Sequence, residues 1–285
     1  MRIKFWGVRS DLPSPLNSGE AQLRVRAAVE IAVNTWRSGA TSDVATIQQQ
    51  LPEHIRSVMG GETSCIEVTA QDSRLIVDLG TGARRLGYDL LAQGAKGQFF
   101  IVLTGTRWDH IQGWPFFTPG YIPGNSFRFF SSAENMRERM ERQQDFSFFP
   151  VRFNEMASTR EFTLLNEQIS RDAGPFRLRS VPSYDPISSD SIRIECGGKV
   201  VVLSGPDTIQ SASVYKDFLE GADILVLQDV RDRLILSDLA LRIRSLGIKR
   251  IVLTDHMASM GDQEAIETAS SAGVELAREE LALEV

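Results

Sequence analysis

Leu103-Thr-Gly-Thr-Arg-Trp-Asp-His-Ile-Gln-Gly113 is the stretch from which the rest of the chain can be read. It closes residues 98 to 104, an apolar run with the composition of a buried strand. Asp109 and His110 therefore stand where that strand opens into a Gly-bounded loop. A carboxylate beside an imidazole can bind a metal, or it can simply make a hydrogen bond, and spacing alone leaves both readings open.

Two further strand ends supply similar residues. Leu203-Ser-Gly-Pro-Asp207 and Leu253-Thr-Asp-His256 each follow an apolar run directly. Three strand ends thus offer Asp109, His110, Asp207, Asp255 and His256, oxygen and nitrogen donors that suit zinc, manganese or iron. The bland reading is that Asp109, His110 and Asp78 only hydrogen-bond neighbouring strand ends.

Around these loops the pattern is α/β. Residues 2 to 8 begin as a half-buried strand and stop at Asp11-Leu12-Pro13-Ser14-Pro15. Leu23, Ala27 and Ile31 are spaced for one helix face, and a second helix can start at Thr41-Ser42-Asp43, so a helical insertion is expected over about 16 to 59. Strands are expected at 65 to 68, 74 to 78, 98 to 104, 176 to 181, 191 to 195, 199 to 203, 224 to 228 and 250 to 254. Helices are expected at 133 to 144, 211 to 220, 237 to 246 and 262 to 271. Early strands joined by hairpins and later strands alternating with helices give sheets covered by helices, read as one domain over 1 to 285.

Composition narrows the class. The 285 residues carry 31 Lys plus Arg against 37 Asp plus Glu, a net charge of -6, and 42% are hydrophobic, which excludes disordered and fibrous chains. The acidic balance weighs against unspecific nucleic-acid binding. Two cysteines, Cys65 and Cys196, exclude a disulfide framework and a Cys-rich zinc module. No apolar run reaches the roughly 18 residues that cross a bilayer, so no membrane role is expected. The start of the sequence lacks a signal-peptide pattern, which makes the cytoplasm the expected compartment.

The motifs Phe5-Trp-Gly-Val-Arg9, Gly60-Gly-Glu-Thr-Ser-Cys65, Val77-Asp-Leu-Gly-Thr-Gly82 and Trp108-Asp-His-Ile-Gln-Gly113 closely resemble the metallo-β-lactamase-fold hydrolases related to phosphodiesterases and tRNase Z. The resemblance covers essentially the whole chain. It implies an αββα sandwich with a binuclear metal site along one edge, whose ligands include a His-x-His-x-Asp-His motif.

This sequence departs from that motif. Gly105 and Arg107 stand where the resemblance calls for the first metal's imidazoles. A further histidine expected after residues 176 to 181 is replaced around Ser183-Tyr184-Asp185, and no histidine proton donor occurs between Asp229 and Asp238. Asp207 resembles the bridging aspartate. A guanidinium is always charged and cannot coordinate a metal, so Arg107 is expected to point into the vacated site and neutralise Asp207, Asp185 or Asp190.

The expectation is a degenerate member that binds a small phosphorylated ligand or a protein partner, with no metal or one divalent zinc or manganese. The alternative is a mononuclear hydrolase of a phosphodiester or related ester, held by Asp109, His110, Asp207 and His256 with Asp255 as alternative ligand or base. The aromatic stretch from Trp114 to Phe130 is expected mainly to pack, and it also allows a homo-oligomer contact. Arg84-Arg85 and the run Arg137 to Arg142 could meet phosphate, though alternating signs usually mark a solvated face. His54 reads as a solvated or capping residue and Cys65 as a packing residue.

Overall fold

The computed structural model describes residues 1 to 183, 189 to 230, 233 to 248, 250 to 257 and 259 to 285. Tyr184 and Asp185 lie outside the described residues. The strands are, in chain order, β1 (Arg2–Gly7), β2 (Arg9–Ser10), β3 (Cys65–Ala70), β4 (Ser73–Val77), β5 (Gln98–Val102), β6 (Ser126–Ser131), β7 (Thr159–Leu164) and β8 (Arg171–Ala173). They continue as β9 (Phe176–Val181), β10 (Ser191–Cys196), β11 (Lys199–Ser204), β12 (Ile224–Leu227), β13 (Arg250–Leu253), β14 (His256–Met257), β15 (Glu275–Leu276) and β16 (Ala282–Glu284). The helices are α1 (Ser18–Arg37), α2 (Val44–Gln50), α3 (Glu53–Arg56), α4 (Gly82–Ala92), α5 (Trp108–Ile111), α6 (Met136–Gln143), α7 (Pro206–Gln210), α8 (Lys216–Leu219), α9 (Arg233–Ser245) and α10 (Asp262–Ala272).

Two mixed sheets face each other. The first runs β16-β1-β3-β4-β5-β6-β7 and the second β15-β13-β12-β11-β10-β9-β8. Both are covered on their outer faces, so their central strands are apolar on both sides, and the period of two decides which core each side chain joins. Leu75, Val77, Phe100 and Val102 point between the sheets, where they meet Leu178, Ile194, Val226 and Val252. Ile76, Phe99, Ile101 and Leu103 point outward onto Leu86 and Leu90 of α4. In the second sheet Leu225, Leu227, Ile251 and Leu253 turn outward to Leu236, Leu239 and Ile243 of α9. The result is the αββα sandwich.

β6 and β7 are strands that the sequence reading did not place, and β6 lies within the aromatic stretch. The aromatic stretch holds a two-residue alternation, with Phe127 and Phe129 turned to the α4 side and Phe130 to the inter-sheet core. Trp114 meets Phe127 and Phe129 edge-on at 5.4 Å and 5.2 Å, contacts worth about 1 kcal/mol each beyond burial. Packing therefore consumes Trp114, Phe117, Phe127, Phe129 and Phe130, and only Phe116 of this aromatic set is exposed. The helix expected over 211 to 220 is instead α7 and α8 with a turn between them, because Pro206 starts a helix early and α7 closes at Ser211.

The helical insertion is present as α1, α2 and α3. Asn17 and Glu20 cap α1 reciprocally, at 3.0 Å and 3.1 Å. None of its residues is fully buried. Ala27 and Ile31 are half-buried as the spacing predicts, but Leu23 is exposed. Arg24 ties α1 down, reaching Ser57 O at 2.8 Å and Asp262 at 2.7 Å, and buried Arg9 grips the same carboxylate at 2.6 Å.

Candidate functional site

The site loops pack by backbone contact. Leu79 N donates to His110 O at 2.7 Å and Gly113 N donates to Leu79 O at 2.8 Å, which lays the 105 to 113 loop across the turn after β4. A Cβ on Gly113 would stand 1.9 Å from Gly80 O, so only glycine permits this crossing. Asp78, Asp229 and Asp255 follow β4, β12 and β13 by one or two residues, and all three are left-handed, with φ of 59°, 57° and 54°. Such backbone is uncommon for a non-glycine residue, though Asp tolerates it better than most, and three cases at strand ends of the two facing sheets mark a site held by its surroundings.

Arg107 is the hub. Its Nη2 donates to Asp109 Oδ2 at 2.8 Å and to Asp229 Oδ1 at 2.7 Å, and its Nε donates to Asp109 Oδ1 at 3.1 Å. Both carboxylates are almost wholly buried while the guanidinium keeps some solvent contact. Asp229 Oδ2 also accepts from Ser189 Oγ at 2.6 Å and Ser189 N at 3.2 Å. Burial pushes Asp109 and Asp229 up, but His110 and Arg107 outweigh it and hold both carboxyls below their ordinary range.

His110 sits beneath this pair. Its Nδ1 donates to Asp78 Oδ2 at 2.8 Å, and Asp78 in turn accepts from Thr104 N at 2.9 Å and Thr104 Oγ1 at 2.7 Å. Burial lowers the ring's pKa, yet Asp78, Asp109 and Asp255 overcome it and pull the value up to about 10. Arg107 Nη2 stands 2.9 Å from Nε2. At a pKa of about 10 the ring keeps both protons at neutral pH, and the carboxylates it shares with Arg107 hold the two cations side by side.

Asp255 lies deeper. Its Oδ2 accepts from Gln228 Nε2 at 2.9 Å, and its Oδ1 has no partner among the described residues. Burial is the main cause of a pKa raised to about 7, with Asp229 and Asp78 adding to it.

The remaining candidates lie apart. Asp207, carried by α7, accepts from Ser183 Oγ at 2.9 Å and makes no hydrogen bond or ion pair with the Arg107 cluster. His256 pairs in β14 with Arg9 of β2, and both its ring nitrogens lack partners among the described residues. Burial first and Arg9 second lower its pKa to about 3. Arg107 thus points inward as expected; among the described residues its carboxylate partners are Asp109 and Asp229 and not Asp207 or Asp190, while Asp185 lies outside them. Ser189, Thr104 and Arg9 escaped the sequence reading. Arg9, inside the first motif, could have been flagged as a cation within an otherwise apolar strand pattern.

Solved structures share this architecture over their whole length. YhfI from Bacillus subtilis, a metallo-β-lactamase fold protein, matches with a TM-score of 0.63 at 13% identity, covering 99% of both chains. A diphosphatase of the PhnP family matches with 0.63 at 16% identity, covering 100% of this chain and 97% of its own. The short form of human tRNase Z matches with 0.58 at 15% identity, covering 100% and 99%. No family model matches the chain, and no curated protein matches it.

Proposed function

We propose that this chain, which has the metallo-β-lactamase fold, is a non-catalytic binding protein in which Arg107 does electrostatically what a metal would do at that sheet edge. The observation that carries the reading is the guanidinium bonded at once to Asp109 and Asp229 and lying against His110. The fold implies a binuclear metal centre, and the residues here do not fit one. Gly105 offers no donor, Arg107 offers only N–H groups, and those groups occupy the lone pairs of Asp109 and Asp229 that a cation would need. Among the described residues no three His, Cys, Asp or Glu side chains are grouped to hold a metal ion.

Among the described residues neither site imidazole is placed to activate water. His110 is enclosed by Asp78 and Arg107, and His256 is buried beside Arg9. The described cluster neutralises charge and fixes strand ends, which fits binding better than cleavage. The role that remains is recognition of a small phosphorylated ligand or a protein partner. A cytoplasmic location belongs to the same proposal. Two points support it: both cysteines are buried and free, and among the described residues no helix is long and apolar enough to cross a membrane.

The test is elemental analysis of protein purified without chelator and re-equilibrated with zinc and with manganese, for wild type and Asp109→Ala, alongside turnover of a generic phosphodiester. The expected result is no stoichiometric metal and no metal-dependent turnover in either protein. Stoichiometric metal lost in Asp109→Ala, together with turnover, would instead establish a mononuclear hydrolase.

A further inference from the structure

Immediately outside the Arg107 loop lies a groove of about 610 Å³, lined by Trp108 and Phe148 together with Thr106, Gln112, Arg139 and Arg142. Two of its walls are aromatic rings left largely in solvent, Trp108 at 74% and Phe148 at 82% exposure. Large apolar groups exposed together around one concavity mark a binding surface more often than chance does.

The cations of the groove are only loosely engaged by the protein's own carboxylates. Arg139 is fixed by neutral partners, its Nε on Asn135 Oδ1 at 2.8 Å and its Nη1 on Thr106 Oγ1 at 2.8 Å. This leaves Nη2 without a hydrogen bond among the described residues, and the nearby Asp190 carboxyl feels the guanidinium only through space. Arg142 has one distant carboxylate, Glu138 at 3.9 Å, and both are well exposed. In contrast Arg84 and Arg85 on α4 are paired to Glu62, Glu279 and Glu280. The groove therefore combines ring faces with loosely engaged, pre-positioned positive charge, although the whole chain carries a net charge of -6.

We propose that this groove binds a planar aromatic ring bearing a phosphate, with the ring stacked on Trp108 and Phe148 and the phosphate on Arg139 and Arg142. Aromatic faces accept any base-like ring, and guanidiniums take phosphate through paired charge-assisted hydrogen bonds. The proposal names the ligand class for the binding role proposed above and rests on that reading only for the ligand's phosphate. The site itself lies outside the Arg107 cluster and uses none of its residues.

The test is calorimetric titration of the intact, chelator-treated protein with adenosine 5′-monophosphate, adenosine and inorganic phosphate. Wild type, Trp108→Ala and the Arg139→Ala/Arg142→Ala double variant are compared, with thermal melts as a folding control. All three positions are exposed, so the melts should coincide. Binding of the nucleotide should weaken about 10-fold or more in each variant, and adenosine should bind about 10-fold or more weakly than the nucleotide. The proposal is overturned if millimolar nucleotide gives no heat, if the variants bind as wild type does, or if adenosine binds as well as its phosphate. Sedimentation showing a dimer that Trp108→Ala dissolves would put a second copy in the groove and overturn it too. Metal loading and turnover in the preceding experiment would remove the non-catalytic reading without touching this result, so the two can fail separately.

Discussion

Arg107 Nη2 donates to Asp229 Oδ1 at 2.7 Å, joining a loop that follows β5 to a loop that follows β12, 122 residues later and in the opposite sheet. The two sheets are thus pinned at the site edge by an ion pair between largely buried groups. Removing one partner of such a pair strands the other charge, which costs more than the pair contributes. Arg107→Ala should lower the unfolding free energy by about 3 kcal/mol in urea titrations. Arg107→Lys should recover only part of it, because a point charge cannot fork between Asp109 and Asp229. An Arg107→Ala midpoint indistinguishable from wild type would mean that the pair is not holding the edge.

The carboxylates around His110 set its protonation. Asp78, Asp109 and Asp255 raise its pKa to about 10, so the ring should carry both protons at neutral pH. Asp78→Asn removes the largest of these pulls, and the ring should then lose its second proton at a lower pH. Nitrogen-15 chemical shifts of labelled histidine resolve the two forms, and a singly protonated His110 in wild type at pH 7 would contradict the assignment.

Asp255 and His256, adjacent in sequence, should tilt stability with pH in opposite senses. Folded Asp255 holds its proton more tightly than the unfolded chain does, with a pKa of about 7, so its contribution is present at low pH and lost as pH rises through about 7. Folded His256, with a pKa of about 3, holds its proton less tightly, so its contribution is present above about pH 6.5 and lost as pH falls toward 3. The two slopes offset each other between about pH 4 and 6.5. Asp255→Asn should unmask a stability that rises across that window, and His256→Gln one that falls, each by on the order of 1 to 3 kcal/mol. Urea midpoints at three pH values suffice, and parallel profiles for the two variants would refute the account.

Two glycines of the site loop should respond oppositely to alanine. A Cβ at Gly113 collides with Gly80 backbone, whereas one at Gly105 meets nothing within 4 Å. Gly113→Ala should cost about 3 kcal/mol or prevent folding, and Gly105→Ala should leave the thermal midpoint within about 2 °C. A strongly destabilised Gly105→Ala would show that the loop is more crowded than its geometry indicates.

The sequence made the strand ends readable because each pairs an apolar run with an abrupt Gly, Asp or Pro, and those signals are local. What lay beyond it was partnership across the sheets. Arg107 could be directed inward, but whether it met Asp207, Asp190 or Asp229 depended on where Pro206 starts α7. Starting there, the helix carries Asp207 off to Ser183. His256 looked like a neighbour of Asp255, yet the left-handed turn at Asp255 returns the chain to Arg9 and separates the two side chains. β6 was masked by aromatic richness, which drew attention to composition when the alternation of Phe127, Phe129 and Phe130 held the answer, and β7 by its polar composition, Thr159-Arg-Glu-Phe-Thr-Leu164.

The first sheet closes on the two ends of the chain. β16 lies antiparallel beside β1, with Arg2 opposite Glu284, and Val285 N donates to Met1 O at 2.9 Å. The sheet therefore gains its outermost strand from residues some 280 positions away from the strand it pairs with, while hairpin partners such as β3 and β4 are near neighbours. Closing that edge should be a late event in folding, because joining such distant segments costs the most chain entropy.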